Sequence, residues 1–415
     1  MKLLKKVFKY LLYTVLFIVV ALNVFIVLTG RYYLYNGLAK TYLVGKSGPG
    51  IYDLELFPHS EIEKAASPFL WKKHPGFNTV GLTKEEEAYH KKLGSRAFLV
   101  FQEDSLVFEK YWGEHTKNSV SNSFSAAKTV VSLLIGIAVE EGKIKSIDEP
   151  VGNYIPEFKE QGRDKVTIRH LLLMAAGFDW TESGSNPLGE TAEAYYGDDL
   201  YGLVTRLKVI ETPGKTFNYQ SGDTQILGFI LEKATGKTVS ELTEEKLWKP
   251  MGAGHQAYWS LDKENGDEKA YCCLYASPYD FSLLGYLILN NGKIGTKQIV
   301  PEWYMKDMVK TPEMATEEGV PNLRYGWHIW TYYNNGNPVY YCRGLKGQYV
   351  MAIPKDKRII VRLGMERDDN FEIPKSKESD KAYHTQNDEK VGHPIDVFKY
   401  ITMADRIVKE ARNKK

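Results

Sequence analysis

Little in this sequence points to metal or redox chemistry. Only three of its 415 residues are cysteine, Cys272, Cys273 and Cys342. No Cys-x-x-Cys, His-Glu-x-x-His or EF-hand spacing occurs, so neither a metal site nor a cofactor is indicated. Three thiols cannot all pair within one chain. Either Cys342 bridges to one of the other two, as an exported protein allows, or all three are small buried apolar residues. Blocks of like charge are also lacking. The 54 basic and 52 acidic residues leave a formal charge of +2, and no basic stretch follows the first nine residues, which argues against a nucleic-acid partner. There is no Gly-x-Ser-x-Gly elbow, and the nine histidines fall in no triad context. The two Gly-Lys-Thr triplets, beginning at Gly214 and Gly236, are not phosphate loops, because Val209 and Leu231 stand where the upstream glycine belongs. Internal repeats and low-complexity tracts are absent, and 43% hydrophobic with 26% charged residues excludes a disordered chain.

One long apolar run is present. After Lys2, Lys5, Lys6 and Lys9, the stretch from Tyr10 to Thr29 has Asn23 as its one strongly polar member. About 20 such residues cross a bilayer as a helix. The lysines place the N-terminus in the cytoplasm and everything after Gly30 beyond the inner membrane, in the periplasm or at the cell surface. No A-x-A-like cleavage site and no lipid-accepting cysteine follow, so residues 1–30 read as an uncleaved anchor.

Residues 31–75 read as a tether and irregular lead-in, and residues 76–415 as the main domain. "SRAFLVFQEDSLVFEKYW" predicts a hairpin. Ser125 to Glu141 predicts a helix closed by Gly142, and "VTIRHLLLMAAGF" and "DTQILGFILEKATGKT" predict two more. Strand character returns in "YGWHIWTYY", "NPVYYCRG", "QYVMAIP" and "RIIVRLG", and a C-terminal helix follows. Strands at about 76–150 and 300–415 around a helical stretch at about 150–300 imply an α+β domain with a mainly helical insertion.

The chemistry sits in "SFSAAKTVVSLLIGIAV". Ser125 and Lys128 are three positions apart, on one face of a helix and one turn from each other. A serine in the first helical turn lies in the positive field of the amide ends. A lysine among apolar residues has its pKa lowered toward that of a base. A capping serine beside a solvated lysine is the bland alternative. A second Ser-x-x-Lys, Ser260 and Lys263, lies in a polar loop-like stretch.

From about residue 85 to 370 the chain resembles the serine β-lactamase and penicillin-binding protein superfamily, nearest to class C β-lactamases and the 6-aminohexanoate-dimer hydrolase type. The resemblance is carried in order by "FSAAKTVVSLLIGIAVEEGKIKSIDEPVGNYIPEF", "VTIRHLLLMAAGFDW", "PGKTFNYQSGDTQILGFILEKATG" and "GLKGQYVMAIPKDKRIIVRLG". It implies that family's antiparallel sheet flanked by helices and an acyl-enzyme mechanism. Ser125 is then the nucleophile, and Lys128 and Tyr219 move its proton. The amides of Ser125 and Gln348 form the oxyanion hole. Ser221 stands in the place of the usual asparagine, and Leu345, Lys346 and Gly347 in the place of a Lys-Thr-Gly or His-x-Gly triplet.

Leu345 removes the cation or imidazole that grips a substrate carboxylate, and Lys346 alternates to the opposite strand face. That favours an esterase or amidase acting on a small or peptide-like substrate over a β-lactamase, D-Ala carboxypeptidase or other penicillin-binding protein. A catalytically silent cell-wall or protein-binding module is the reading from another class. Arg343 and Arg324 are possible charges nearby. Trp180, Tyr195, Tyr196, Trp259, Trp327 and Trp330 are possible walls of the site, with Trp180 and Trp327 taken as substrate-binding.

Overall fold

The computed structural model describes residues 2–334, 337–372 and 392–413. Its centre is a seven-stranded sheet. Strands β1 (Lys72–Lys73), β2 (Ser95–Gln102), β3 (Ser105–Tyr111), β4 (Trp330–Asn334), β5 (Asn337–Gly344), β6 (Gln348–Ile353) and β7 (Arg358–Gly364) lie in the order β4-β5-β6-β7-β2-β3-β1. All neighbours are antiparallel except β1 beside β3.

Strands β2, β6 and β7 are almost wholly buried, because helices cover both faces of the sheet, and a strand buried on both sides has no polar alternation. Leu99 and Phe101 point into the larger core, while Phe98 and Val100 point into a second core beneath the C-terminal helix Ile395–Asn413. On the opposite face the helix Pro278–Leu289 approaches closely at Gly285. A Cβ there would lie 2.6 Å from Ile359 Cγ2, a distance only glycine accommodates.

The 150–300 stretch is not helix and loop alone. Ala257–Ser260 and Leu274–Ala276 join His59–Ile62 and Ser121–Asn122 in a four-stranded sheet. Strands of two to four residues are too short to show alternation in sequence. The helix expected in "VTIRHLLLMAAGF" spans only Ile168–Leu172, and Met174 turns into the left-handed region at φ 54°. "YGWHIW" is likewise strand only from Trp330 onward, because His328 has φ 57°.

The N-terminal helix α1 (Lys2–Thr29) is long and apolar enough to cross a membrane. Where the sequence reads as a tether, the chain instead forms helix α2 (Tyr33–Lys40), which packs on the main domain. Arg31 Nη1 donates to Leu188 O (2.6 Å), Tyr33 Oη to Pro187 O (3.1 Å) and Asn36 Nδ2 to Tyr196 O (3.1 Å). A segment with these long-range partners leaves no signal in local sequence, because what holds it lies some 150 residues away.

Candidate active site

The chain enters the site through a constrained turn. Phe124 is in the left-handed region (φ 45°) and its N–H is held by Asn122 Oδ1 at 2.8 Å. A bulky residue at positive φ costs about 1 to 3 kcal/mol, and here it precedes Ser125 in the one-turn 3₁₀ segment Phe124–Ala126. That segment runs directly into helix α3 (Ala127–Glu140), which is buried from Ala127 through Ala138. Ser125 therefore stands at the N-terminal end of a core helix, where the amide dipoles favour developing negative charge.

Lys128 is fully enclosed. Its Nζ donates to Ser125 Oγ (3.3 Å), Ser221 Oγ (3.0 Å) and Tyr271 O (2.8 Å). Burial pushes its pKa down to about 8, against the opposing pull of Glu182 and Asp223. Three acceptors satisfy all three protons of the ammonium form. The neutral amine keeps two donors and gains a lone pair.

Which acceptor then becomes a donor is set by Glu182. Ser221 begins helix α4 (Ser221–Thr235); its N–H and its Oγ donate to the two carboxylate oxygens of Glu182, each at 2.8 Å, and Trp180 Nε1 donates to the same group at 2.8 Å. With its proton committed to Glu182, the Ser221 hydroxyl can only accept from Lys128. Tyr271 O can only accept as well. A neutral Lys128 therefore aims its lone pair at the Ser125 hydroxyl.

Tyr219 is half-buried and faces the same place. Burial, reinforced by Glu182, raises its pKa well above that of free phenol, while a hydrogen bond to Ser125 and the charge of Arg343 act the other way. It remains a phenol over the working pH range, suited to hand a proton across. Its ring stacks on Trp330 (5.6 Å between centroids), and the Arg343 guanidinium covers the other ring at 3.5 Å.

A cavity of about 750 Å³ opens over these groups, lined by Ser125, Tyr219, Ser221, Tyr271, Glu182, Arg343, Gly344 and Leu345. Of the residues singled out in the sequence, Ser125, Lys128, Tyr219, Ser221 and Leu345 come together. Tyr195 and Tyr196 also line the wall. Lys346 and Gly347 form the turn behind it, and Gln348 opens β6. The Gln348 side chain bonds Leu345 O and Gly364 O, and Arg362 Nη1 donates to Lys346 O and Gly347 O. It is the end of β5, Arg343 and Gly344, with Leu345 just beyond it, that borders the cavity.

Trp180 reaches the site through Glu182. Trp327 lies away from it, packed on Tyr304 at 5.0 Å with its carbonyl bonded by Ser132. Trp259 is a core residue whose Nε1 donates to Lys269 O and Cys272 O. Arg324 Nη1 bonds Gly392 O, away from the cavity.

Four features were missed. Glu182 lies two positions after Trp180 in the loop that follows "AAGFDW", a place the motifs mark as near the site, but nothing in sequence aims its carboxylate at Ser221. The Tyr271 carbonyl carries no side-chain signal at all. The bridge lies between neighbours, Cys272 and Cys273, with Cys272 on the cavity wall, whereas Cys342 is free, buried and pushed up to about 11 by that burial. The possible Cys342 bridge is therefore not formed. Helix α2 supplies the fourth, considered below.

The chain belongs to the Beta-lactamase family, whose profile matches residues 82–372, and the family and its homologues are serine hydrolases. It is 24% identical over 284 residues to 6-aminohexanoate-dimer hydrolase of Paenarthrobacter ureafaciens, covering 64% of this chain and 71% of that one. In structure it is similar to a Bacillus anthracis homologue of 6-aminohexanoate-dimer hydrolase (TM-score 0.71, 21% identity, 86% of this chain and 93% of that one). It is also similar to a family VIII carboxylesterase (TM-score 0.59, 17% identity, 81% and 98%). At these identities the two structures speak for the fold.

Proposed function

We propose that the chain is an acyl-enzyme hydrolase of an ester or amide, held at the membrane by α1 with its catalytic domain on the extracytoplasmic side. The observation that carries this reading is the Lys128 amine, enclosed 3.3 Å from Ser125 Oγ with both its other partners fixed as acceptors. Neutral Lys128 takes the Ser125 proton as Oγ attacks the substrate carbonyl. The oxyanion is held at the N-terminus of α3 by the Ser125 amide; Gln348, the second donor expected from the sequence, is buried and does not line the cavity, which the end of β5 borders instead. On collapse the carbonyl–leaving-group bond breaks and the leaving group receives the proton by way of Lys128 and Tyr219. Water then attacks the acyl-serine, giving its proton back along the same path and restoring Ser125.

Leu345 in place of a charged residue, with an apolar cavity around it, supports an esterase or amidase over a carboxylate-gripping carboxypeptidase. Intact mass of the full-length chain in detergent, after a fluorophosphonate and separately after a penicillin, tests the assignment. A fluorophosphonate adduct on wild type that Ser125→Ala lacks is the expected result. No adduct on folded wild type would overturn it in favour of a silent binding module, and a penicillin adduct would move the substrate toward cell-wall peptides.

A further inference from the structure

One part of the cavity wall is not made by the family-matched region. It is made by Tyr33, Leu34, Gly37, Leu38, Thr41 and Tyr42, the turns that follow α1 directly. Only Gly30, Arg31 and Tyr32 separate the two helices. The junction is also fixed. Arg31 N bonds Ile26 O at 3.1 Å, and Tyr35 Oη donates to Asn23 Oδ1 at 2.7 Å, six residues inside the end of α1. At 1.5 Å per residue that contact lies about 9 Å below the helix end, at the boundary between headgroups and hydrocarbon if α1 spans the bilayer from end to end.

The side chains around it match that depth. Tyr32, Tyr35 and Tyr42 are exposed beside buried Tyr33 and half-buried Arg31, and tyrosines with a basic residue at a helix end are the usual occupants of a membrane interface. Leu38 is 47% exposed, Tyr42 69% and Leu188, on the loop that α2 holds, 42%. In water these side chains would gain from being covered; at a bilayer surface they already are.

We infer, on the reading of the site given above, that the substrate is an amphiphile of the bilayer: an ester or amide whose reactive carbonyl meets Ser125 while its apolar chain runs along α2 to the membrane. The charged and reacting groups Ser125, Glu182 and Arg343 line the cavity with Tyr219 and Ser221. The part nearest α1 is lined by Tyr33, Leu34, Leu38 and Tyr42, with Thr41 as the polar residue among them. A wall built from the membrane-proximal helix lets a lipid-borne substrate enter from that side without crossing water.

The test uses the full chain in nanodiscs of phosphatidylethanolamine and phosphatidylglycerol, with p-nitrophenyl palmitate and p-nitrophenyl butyrate as probes and fluorophosphonate labelling of Ser125 in the same samples. The quantity read is the palmitate-to-butyrate ratio of kcat/KM. Wild type is expected to favour palmitate, and Leu38→Glu and Tyr42→Glu are expected each to lower the ratio about tenfold or more, since a charge in the wall blocks burial of several methylenes. Both side chains are exposed, so neither substitution perturbs the core. A labelled enzyme that prefers butyrate, or whose ratio ignores both substitutions, overturns the inference and leaves the hydrolase reading standing. A chain that takes no label and cleaves neither ester defeats the hydrolase reading, and this inference with it.

Discussion

The floor of the cavity and its α2 wall are built on opposite terms. On the floor, Lys128, Ser221 and Tyr271 are almost completely excluded from water, and Lys128 and Ser221 have their hydrogen bonds committed to named partners. Burial there is the cause of the chemistry, because only a dehydrated ammonium gives up its proton near neutral pH. On the wall, Leu38 and Tyr42 are exposed, and the segment is held by three hydrogen bonds from residues 31–36 to backbone carbonyls at 187, 188 and 196. A reactive group needs a fixed, dry setting. A surface that receives an apolar chain needs exposed area and a scaffold that tolerates traffic past it.

The comparison breaks most sharply at the nucleophile. Ser125→Ala is expected to lower kcat for ester hydrolysis about 10³-fold or more, read by steady-state turnover of p-nitrophenyl butyrate, with thermal stability changed little because Ser125 is half-buried at a helix end. Activity equal to wild type would remove Ser125 from the floor altogether. Tyr219→Phe keeps the ring on Trp330 and removes only the proton carrier, so a fall in kcat of about 10²- to 10⁴-fold is expected. A loss below about threefold would leave proton transfer to Lys128 alone.

How much of this contrast could be read in advance follows from the range of the interactions. The Ser125–Lys128 pair is local, three positions on one helix, and its spacing alone puts both on one face. The "RIIVRLG" and "QYVMAIP" strands and the glycine-closed helices, with Gly142 and Gly236 at φ 69° and 73°, are also set by neighbours in sequence. Glu182 reaches Ser221 across 39 positions, Tyr271 O reaches Lys128 across 143, and Arg31 reaches Leu188 across 157. No periodicity encodes such pairs. The bridge between Cys272 and Cys273 was hidden for a different reason: the Cα atoms of neighbours are 3.8 Å apart, short of the range of about 4.4 to 6.8 Å usual for a disulfide.

Glu182 tests the floor more gently, by charge. Since Lys128 acts when neutral, kcat/KM rises with pH through its pKa of about 8; below that the ammonium has no lone pair to offer. The Glu182 carboxylate stabilises the ammonium and so holds that pKa up. Glu182→Gln is expected to move the rising limb of the pH profile to lower pH. It should also lower the plateau by about three- to tenfold, because the Ser221 hydroxyl is no longer fixed as an acceptor. A limb that stays in place, with only the plateau reduced, would mean that Glu182 orients Ser221 without tuning Lys128.

On the wall the smallest change is informative. Tyr33 is buried and its hydroxyl donates to Pro187 O while accepting from Arg31 Nη1 at 2.9 Å. Tyr33→Phe keeps the ring and removes both bonds, at a cost of about 1 kcal/mol. Because α2 is tied to the domain by few such contacts, that cost should fall on local opening and not on the whole fold. Amide exchange within residues 33–40 and 183–188 is therefore expected to rise about fivefold, while exchange in α3 and the central sheet stays as in wild type. Equal acceleration throughout would show that floor and wall unfold as one unit, and the separation between a rigid chemical floor and a loosely held receiving wall would fail.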